Sequence, residues 1–162
     1  MPVSPLIASA AYSFTANTGQ FNKSFEGLAD EEWLRRPGDR SNHMLWMAGH
    51  VIWARAAVPG FLGQPWTQPW FQLFTPGPKA ADASEYPMPN EMLQAFAEVS
   101  TRLTAALEAA TDEALSAPAR ERLPSADKTL AGNIMFLAHH DTYHLGQAAY
   151  IRAWLGHGGL GG

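Results

Sequence analysis

A chain of 162 residues with net charge −4, 16% charged and 46% hydrophobic residues has the composition of one globular domain with a substantial core. Its eleven Lys and Arg are scattered, with no run longer than Arg35-Arg36, which excludes an electrostatic footprint for nucleic acid and a basic amphipathic helix for a membrane surface. There is no cysteine, hence no disulfide, thiolate ligand or cysteine nucleophile; no cationic leader and no apolar run near the ~20 residues of a membrane span are found, so a cytoplasmic location is the expectation.

From Pro5 to Leu28, Ile7, Phe14, Phe21 and Leu28 recur every seven residues, which predicts a first helix with Pro5 in its first turn. The stretch ADEEWLRRPGD predicts a short helical turn stopped by Pro37-Gly38. Asn42 is placed to cap a second helix that runs to about Ala57, ahead of Pro59-Gly60. Residues 59–89 carry seven of the twelve prolines, at 59, 65, 69, 76, 78, 87 and 89, so no helix or regular strand is expected there. Trp66, Trp70, Phe71 and Phe74 within this loop imply that it packs on something. A third helix resumes at Asn90, with Leu93, Phe96, Ser100, Leu103, Leu107 and Ala110 as its stripe, and Thr111 caps a short turn ended by Pro118. The last helix runs from near Thr129 to Leu155, with Leu130, Ile134, Leu137, Asp141, His144, Ala148, Ile151 and Leu155 facing inward. The reading is all-α: a single four-helix bundle over residues 1–156, a long Pro-rich crossover between helices two and three, and a mobile Gly-rich tail at 157–162.

The chemistry is concentrated in the last helix. At about 100° per residue, His140 and His144 lie about 40° apart on one inward face, with Gln147 continuing it, while His139 and Tyr143 point away. Two imidazoles at this spacing suit one metal ion, which would give each ring a partner that burial otherwise denies it. The second helix offers His43 and His50, about two turns apart and unable to serve one ion together. His50 sits mid-helix between Trp46 and Trp53, whereas His43 sits at the helix start near water; His50 is the third candidate. Three histidines would leave a coordination position open. HDTYH matches the spacing of the zinc-protease motif but has Asp141 in place of its glutamate base, which argues against a protease. Asp141 is read either as a partner orienting an imidazole or as an ion-paired carboxylate. Gln147 is read as an outer partner of the site or as an amide satisfying backbone. Trp46, Trp53, Trp66 and Trp70 are read as cavity lining or as plain core.

With HMLWMAGHVIW in the second helix and TLAGNIMFLAHHDTYHLGQAAYIRAWLG in the last, the chain resembles the DinB-like, or YfiT-like, metal-binding family, on His50, His140, His144, Gly146 and Gln147. The resemblance implies an up-down-down-up bundle and a divalent metal on three histidines, with zinc preferred and nickel, iron or cobalt as alternatives. It also implies frequent dimerisation and, in characterised relatives, transfer or isomerisation chemistry that uses low-molecular-weight thiols such as bacillithiol or mycothiol. Asp141 and Leu145 depart from residues common in the family. The function expected is a metal-dependent enzyme moving a thiol onto a small electrophile, with no nucleic acid and no membrane as partner. A non-enzymatic dimerising bundle is the alternative, for which an apolar girdle on helix two (Leu45, Met47, Val51, Ile52, Val58) offers a face. A third reading holds no metal, only satisfied core histidines.

Overall fold

The computed structural model describes residues 2–77 and 81–160; Pro78 of the expected loop and Gly161 and Gly162 of the expected tail lie outside them. The elements are α1 (Ala8–Phe25), α2 (Met44–Phe61), α3 (Pro89–Ala109), α4 (Asp112–Ser116) and α5 (Leu130–Trp154), with 3-10 turns at Pro5–Ile7, Asp30–Leu34, Phe71–Phe74 and Ala83–Glu85. No strand forms among the described residues. The fold is all-α, as the periodicities require.

Several boundaries differ from expectation for identifiable reasons. Pro5 opens a 3-10 turn capped by the Ser4 hydroxyl, and α1 begins only at Ala8. α2 is capped by His43, not Asn42: its Nδ1 accepts from the Trp46 backbone N–H at 3.0 Å. An imidazole lone pair does here what an Asn or Ser oxygen usually does. His43 is thereby only 2% exposed and packs edge-on against Tyr86, so it is not the wet residue its position suggested. α2 also continues through Pro59 to Phe61; the proline lacks one donor, and the ladder closes again beyond it, with Leu62 N bonded to Val58 O. Thr111 caps α4 as expected, through the N–H of Ala114, and Thr129 caps α5 through that of Gly132. In α3 the inward face is Met92, Ala95, Phe96, Val99, Leu103 and Leu107, while Leu93 is turned outward.

The buried side chains fall into two layers. One holds Phe21 and Phe25 of α1, Met47 and Val51 of α2, Met92 and Phe96 of α3, and Ala148 and Ile151 of α5. The other holds Ile7 and Phe14 of α1, Val58 of α2, Leu103 and Leu107 of α3, and Ile134 and Leu137 of α5. α1 and α5 thus run from the second layer to the first, and α2 and α3 run the other way. Two consecutive helices with one direction need a return path the length of a helix, about 27 Å for α2. The Pro-rich connection supplies it and packs on the way: Trp70, Phe71, Phe74 and Tyr86 are buried in the first layer. Full burial of Phe74 alone stabilises this docking by about 1.5–3 kcal/mol. Gly49 permits it, since a Cβ there would meet the Phe74 ring at 2.4 Å.

α2 packs on α3, α5 and the loop turn at 71–74. Leu45, Met47, Val51, Ile52 and Val58 are at most 2% exposed, so the apolar girdle expected to offer a second subunit a face is covered by the chain itself. The start of the tail is held too: His157 Nε2 meets Glu32 Oε2 at 2.8 Å, in place of the mobility expected from its glycines.

Candidate metal centre

α2 and α5 face each other at mid-length, and the three expected histidines meet there. His140 Nε2 lies 3.2 Å from His50 Nε2 and 3.0 Å from His144 Nε2. All three side chains can offer a nitrogen within 4.8 Å of the others, a cluster suited to a metal ion. His139 is exposed, as the helical-face argument requires.

The proton positions decide whether this cluster is self-sufficient. His50 Nδ1 lies 2.7 Å from the Phe74 carbonyl oxygen, which only accepts, so Nδ1 carries the hydrogen and the His50 Nε2 presents a lone pair. His144 Nδ1 faces Gln147 Oε1 at 3.3 Å, the same arrangement in weaker form. His140 Nε2 has one site, either a hydrogen or a lone pair, and two imidazole neighbours. Three neutral rings therefore cannot turn both contacts into full hydrogen bonds. His140 Nδ1 is moreover buried without a partner. A cation at the convergence point satisfies all three Nε2 atoms at once. The spacings agree: at metal–nitrogen distances of about 2.0–2.1 Å, tetrahedral angles separate two nitrogens by about 3.3 Å and right angles by about 2.9 Å. The donor set fits a divalent ion.

Electrostatics keep the rings in the form a metal needs. Burial pushes His144 down to about 4, helped by the adjacent His140 and His50 and opposed by the Gln147 contact. Burial also lowers His50, against the Phe74 carbonyl, and lowers His140, with His50 adding to the effect and Asp141 opposing it. All three are neutral at pH 7, so no proton has to leave before a cation binds.

The surroundings fix the rings. Trp46 stacks on His50 at 4.7 Å between centroids and Trp53 at 5.4 Å. These two tryptophans sit against the candidate site. Trp66 and Trp70 do not: Trp66 packs edge-on against Phe71, and Trp70 donates to Glu91 Oε1 at 3.0 Å. The Phe74 carbonyl is the contributor that sequence reading missed, because no periodicity says where a Pro-rich loop docks.

Asp141 orients no imidazole. Its Oδ1 accepts from Arg55 Nε at 2.7 Å, and its Oδ2 from Arg55 Nη2 and Asn17 Nδ2, each at 2.9 Å. Arg55 Nη1 donates to Thr18 and Ser100, both at 2.8 Å. Arg55 and Asp141 are 1% and 3% exposed. Of the two readings of Asp141, the ion pair holds: one residue along α5, the side chain has rotated by about 100° from His140 and faces the centre of the bundle.

The sequence profile of the DinB superfamily matches residues 13–148, a span that includes all three histidines. The chain belongs to the DinB superfamily. Among solved structures it is similar to a conserved protein from Enterococcus faecalis, at TM-score 0.66 and 15% identity over 90% of this chain and 94% of that one. At that identity the likeness concerns the fold. No curated protein matches the chain. For this DinB superfamily member, the cluster of His50, His140 and His144 is the place where a metal ion can be held.

Proposed function

We propose that this chain is a divalent-metal-dependent enzyme that joins a low-molecular-weight thiol to a small electrophilic substrate. The observation that carries the reading is the convergence of three neutral imidazole nitrogens, one of them held as a lone pair by the Phe74 carbonyl. His50, His140 and His144 would hold the ion. A divalent metal, zinc by preference, supplies Lewis acidity that brings the deprotonation of a bound thiol or water toward neutral pH.

The chain's own residues do the rest. The histidines bring no charge, so they leave the cation's charge undiminished for an anionic nucleophile, and as three protein ligands they leave room for it. Trp46 and Trp53 shield the His50 ring, and the Phe74 carbonyl and Gln147 fix two of the three ring orientations. With no cysteine in the chain, the thiol arrives from outside. It gives up its proton to solvent, and its sulfur forms the new bond to the electrophilic carbon. The electron pair displaced from that carbon departs with the leaving group or, in an addition, ends on the neighbouring atom, which takes a proton back from solvent.

The test is to load the protein with cobalt(II) and titrate 2-mercaptoethanol. The proposal expects a near-ultraviolet sulfur-to-cobalt charge-transfer band that saturates and is lost in His144→Ala. An unchanged spectrum would contradict it and leave a non-enzymatic, metal-stabilised bundle.

A further inference from the structure

Beside the metal centre, between α5 and the segment that leads into α2, lies a cleft of about 540 Å³ lined by residues including Arg40, Ser41, Asn42, Gln147 and Tyr150, over an apolar floor of Met47 and Ile151. Its volume is in the range of small-molecule sites. Its chemistry is one-sided. The wall carries a guanidinium, a hydroxyl, two amides and the phenols of Tyr143 and Tyr150, and no carboxylate. Arg40 has no carboxylate within ion-pair distance among the described residues. Asp39 precedes it in the chain but does not line the cleft. An unpaired guanidinium above apolar and aromatic surface suits a ligand with a carboxylate at one end and an apolar body at the other.

Gln147 links this cleft to the histidines. It lines the cleft while its Oε1 faces His144 Nδ1 at 3.3 Å, leaving its amide nitrogen as the donor a ligand can engage. Because that contact is on the Nδ1 side of His144, a molecule in the cleft is separated from the Nε2 convergence point by the ring itself. We propose that the cleft is a binding site for a small carboxylate with an aromatic or apolar body. Arg40, with Ser41 and Asn42, receives the carboxylate, Met47, Ile151 and Tyr150 cover the body, and Gln147 is the contact through which occupancy reaches His144. The inference draws on the proposed metal site only in this last contact.

The experiment is ligand-detected NMR with benzoate as probe, and with benzamide and acetate as controls, on wild type before and after chelation and on Arg40→Met. Benzoate is expected to bind in the millimolar range in both wild-type samples. Benzamide and acetate should bind more weakly, and Arg40→Met should lose about tenfold. Arg40 is exposed, so its replacement leaves the core untouched. Equal binding of benzamide, or undiminished binding to Arg40→Met, would overturn the proposal. In the zinc-loaded protein, benzoate should move the ring nitrogen resonances of His144 and leave those of His50 in place. Movement of all three histidines together would mean that the anion sits on the metal, which also overturns it. Benzoate binding by a protein that takes up no metal would uphold the cleft and refute the metal reading, so the two fail separately.

Discussion

Removing one partner of the Arg55–Asp141 pair is the perturbation whose consequence can be worked out furthest. Both groups are almost wholly buried, and Arg55 is also surrounded by the rings of Phe14, Phe21 and Phe96, with its guanidinium carbon 4.7 Å from the Phe96 centroid. Breaking such a pair leaves a charge without compensation, at a cost of about 3–5 kcal/mol. For a domain of this size that is a large share of a total of about 5–15 kcal/mol. The two single variants should differ in kind. In Arg55→Met the orphan is a carboxylate, which can take up a proton, so the loss should shrink by up to about 1.4 kcal/mol per pH unit as pH falls from neutrality. In Asp141→Asn the orphan is a guanidinium, which cannot shed its charge, so the loss should not change with pH over the same range. Thr18 and Ser100 keep their bonds to the carbonyls of Phe14 and Phe96 in either case. The double replacement Arg55→Met with Asp141→Leu should recover most of the loss, because apolar side chains of similar volume replace buried charge. Urea unfolding of wild type, Arg55→Met, Asp141→Leu and the double variant closes the cycle, with Asp141→Asn added for the pH comparison and each protein measured at two pH values. Single losses below about 1 kcal/mol, or a double variant as unstable as the sum of the singles, would refute the reasoning. Metal content should survive Asp141→Asn; its loss would return Asp141 to the role of an imidazole partner.

Other outcomes follow from the same geometry. Gly49→Ala would place a Cβ 2.4 Å from the Phe74 ring; it should destabilise the fold by about 1–3 kcal/mol and weaken metal binding by displacing the carbonyl that orients His50, checked by unfolding and by metal titration. Burial, with the charge of Arg36 second, holds His43 down to about 4, so it stays neutral in the folded state while the unfolded chain takes up a proton near 6.5. Its contribution is fully present above about 6.5 and is lost as pH falls toward 4, so His43→Asn, which keeps a capping acceptor, should flatten the stability–pH curve in that window. Gln147→Ala should weaken metal affinity about 10–100-fold without abolishing it, by equilibrium competition with a chelator. His139→Ala should leave metal content unchanged, whereas His140→Ala should remove it; the reverse result would refute the assignment of faces along α5.

The residues of the site were legible because they obey helical arithmetic. His140 and His144 share a face by their spacing. His50 was preferred to His43 on depth, but His43 is as deeply buried, and what separates them is that His43 spends its Nδ1 on capping α2. The buried ion pair also left a trace: Ser100 and Asp141 stand at inward positions of two stripes, and two polar groups facing a core call for a partner. Arg55, five residues past His50 in an otherwise apolar helix, was that partner and was passed over among scattered charges. What no periodicity encodes is tertiary docking. The Phe74 carbonyl on His50, the histidine cap of α2 and the hold of Glu32 on His157 each depend on where an irregular segment lands, which is set by shape and unpaired polar groups across the whole bundle.

The most direct test of the central claim is the metal content of untagged protein by elemental mass spectrometry, alongside His50→Ala and His144→Ala checked for an unchanged helical spectrum. The account predicts close to one divalent ion per wild-type chain and a strong loss in each folded variant. Wild-type protein that holds no ion, even after reconstitution with zinc, nickel, iron or cobalt, would contradict it and make the three histidines residues of the core.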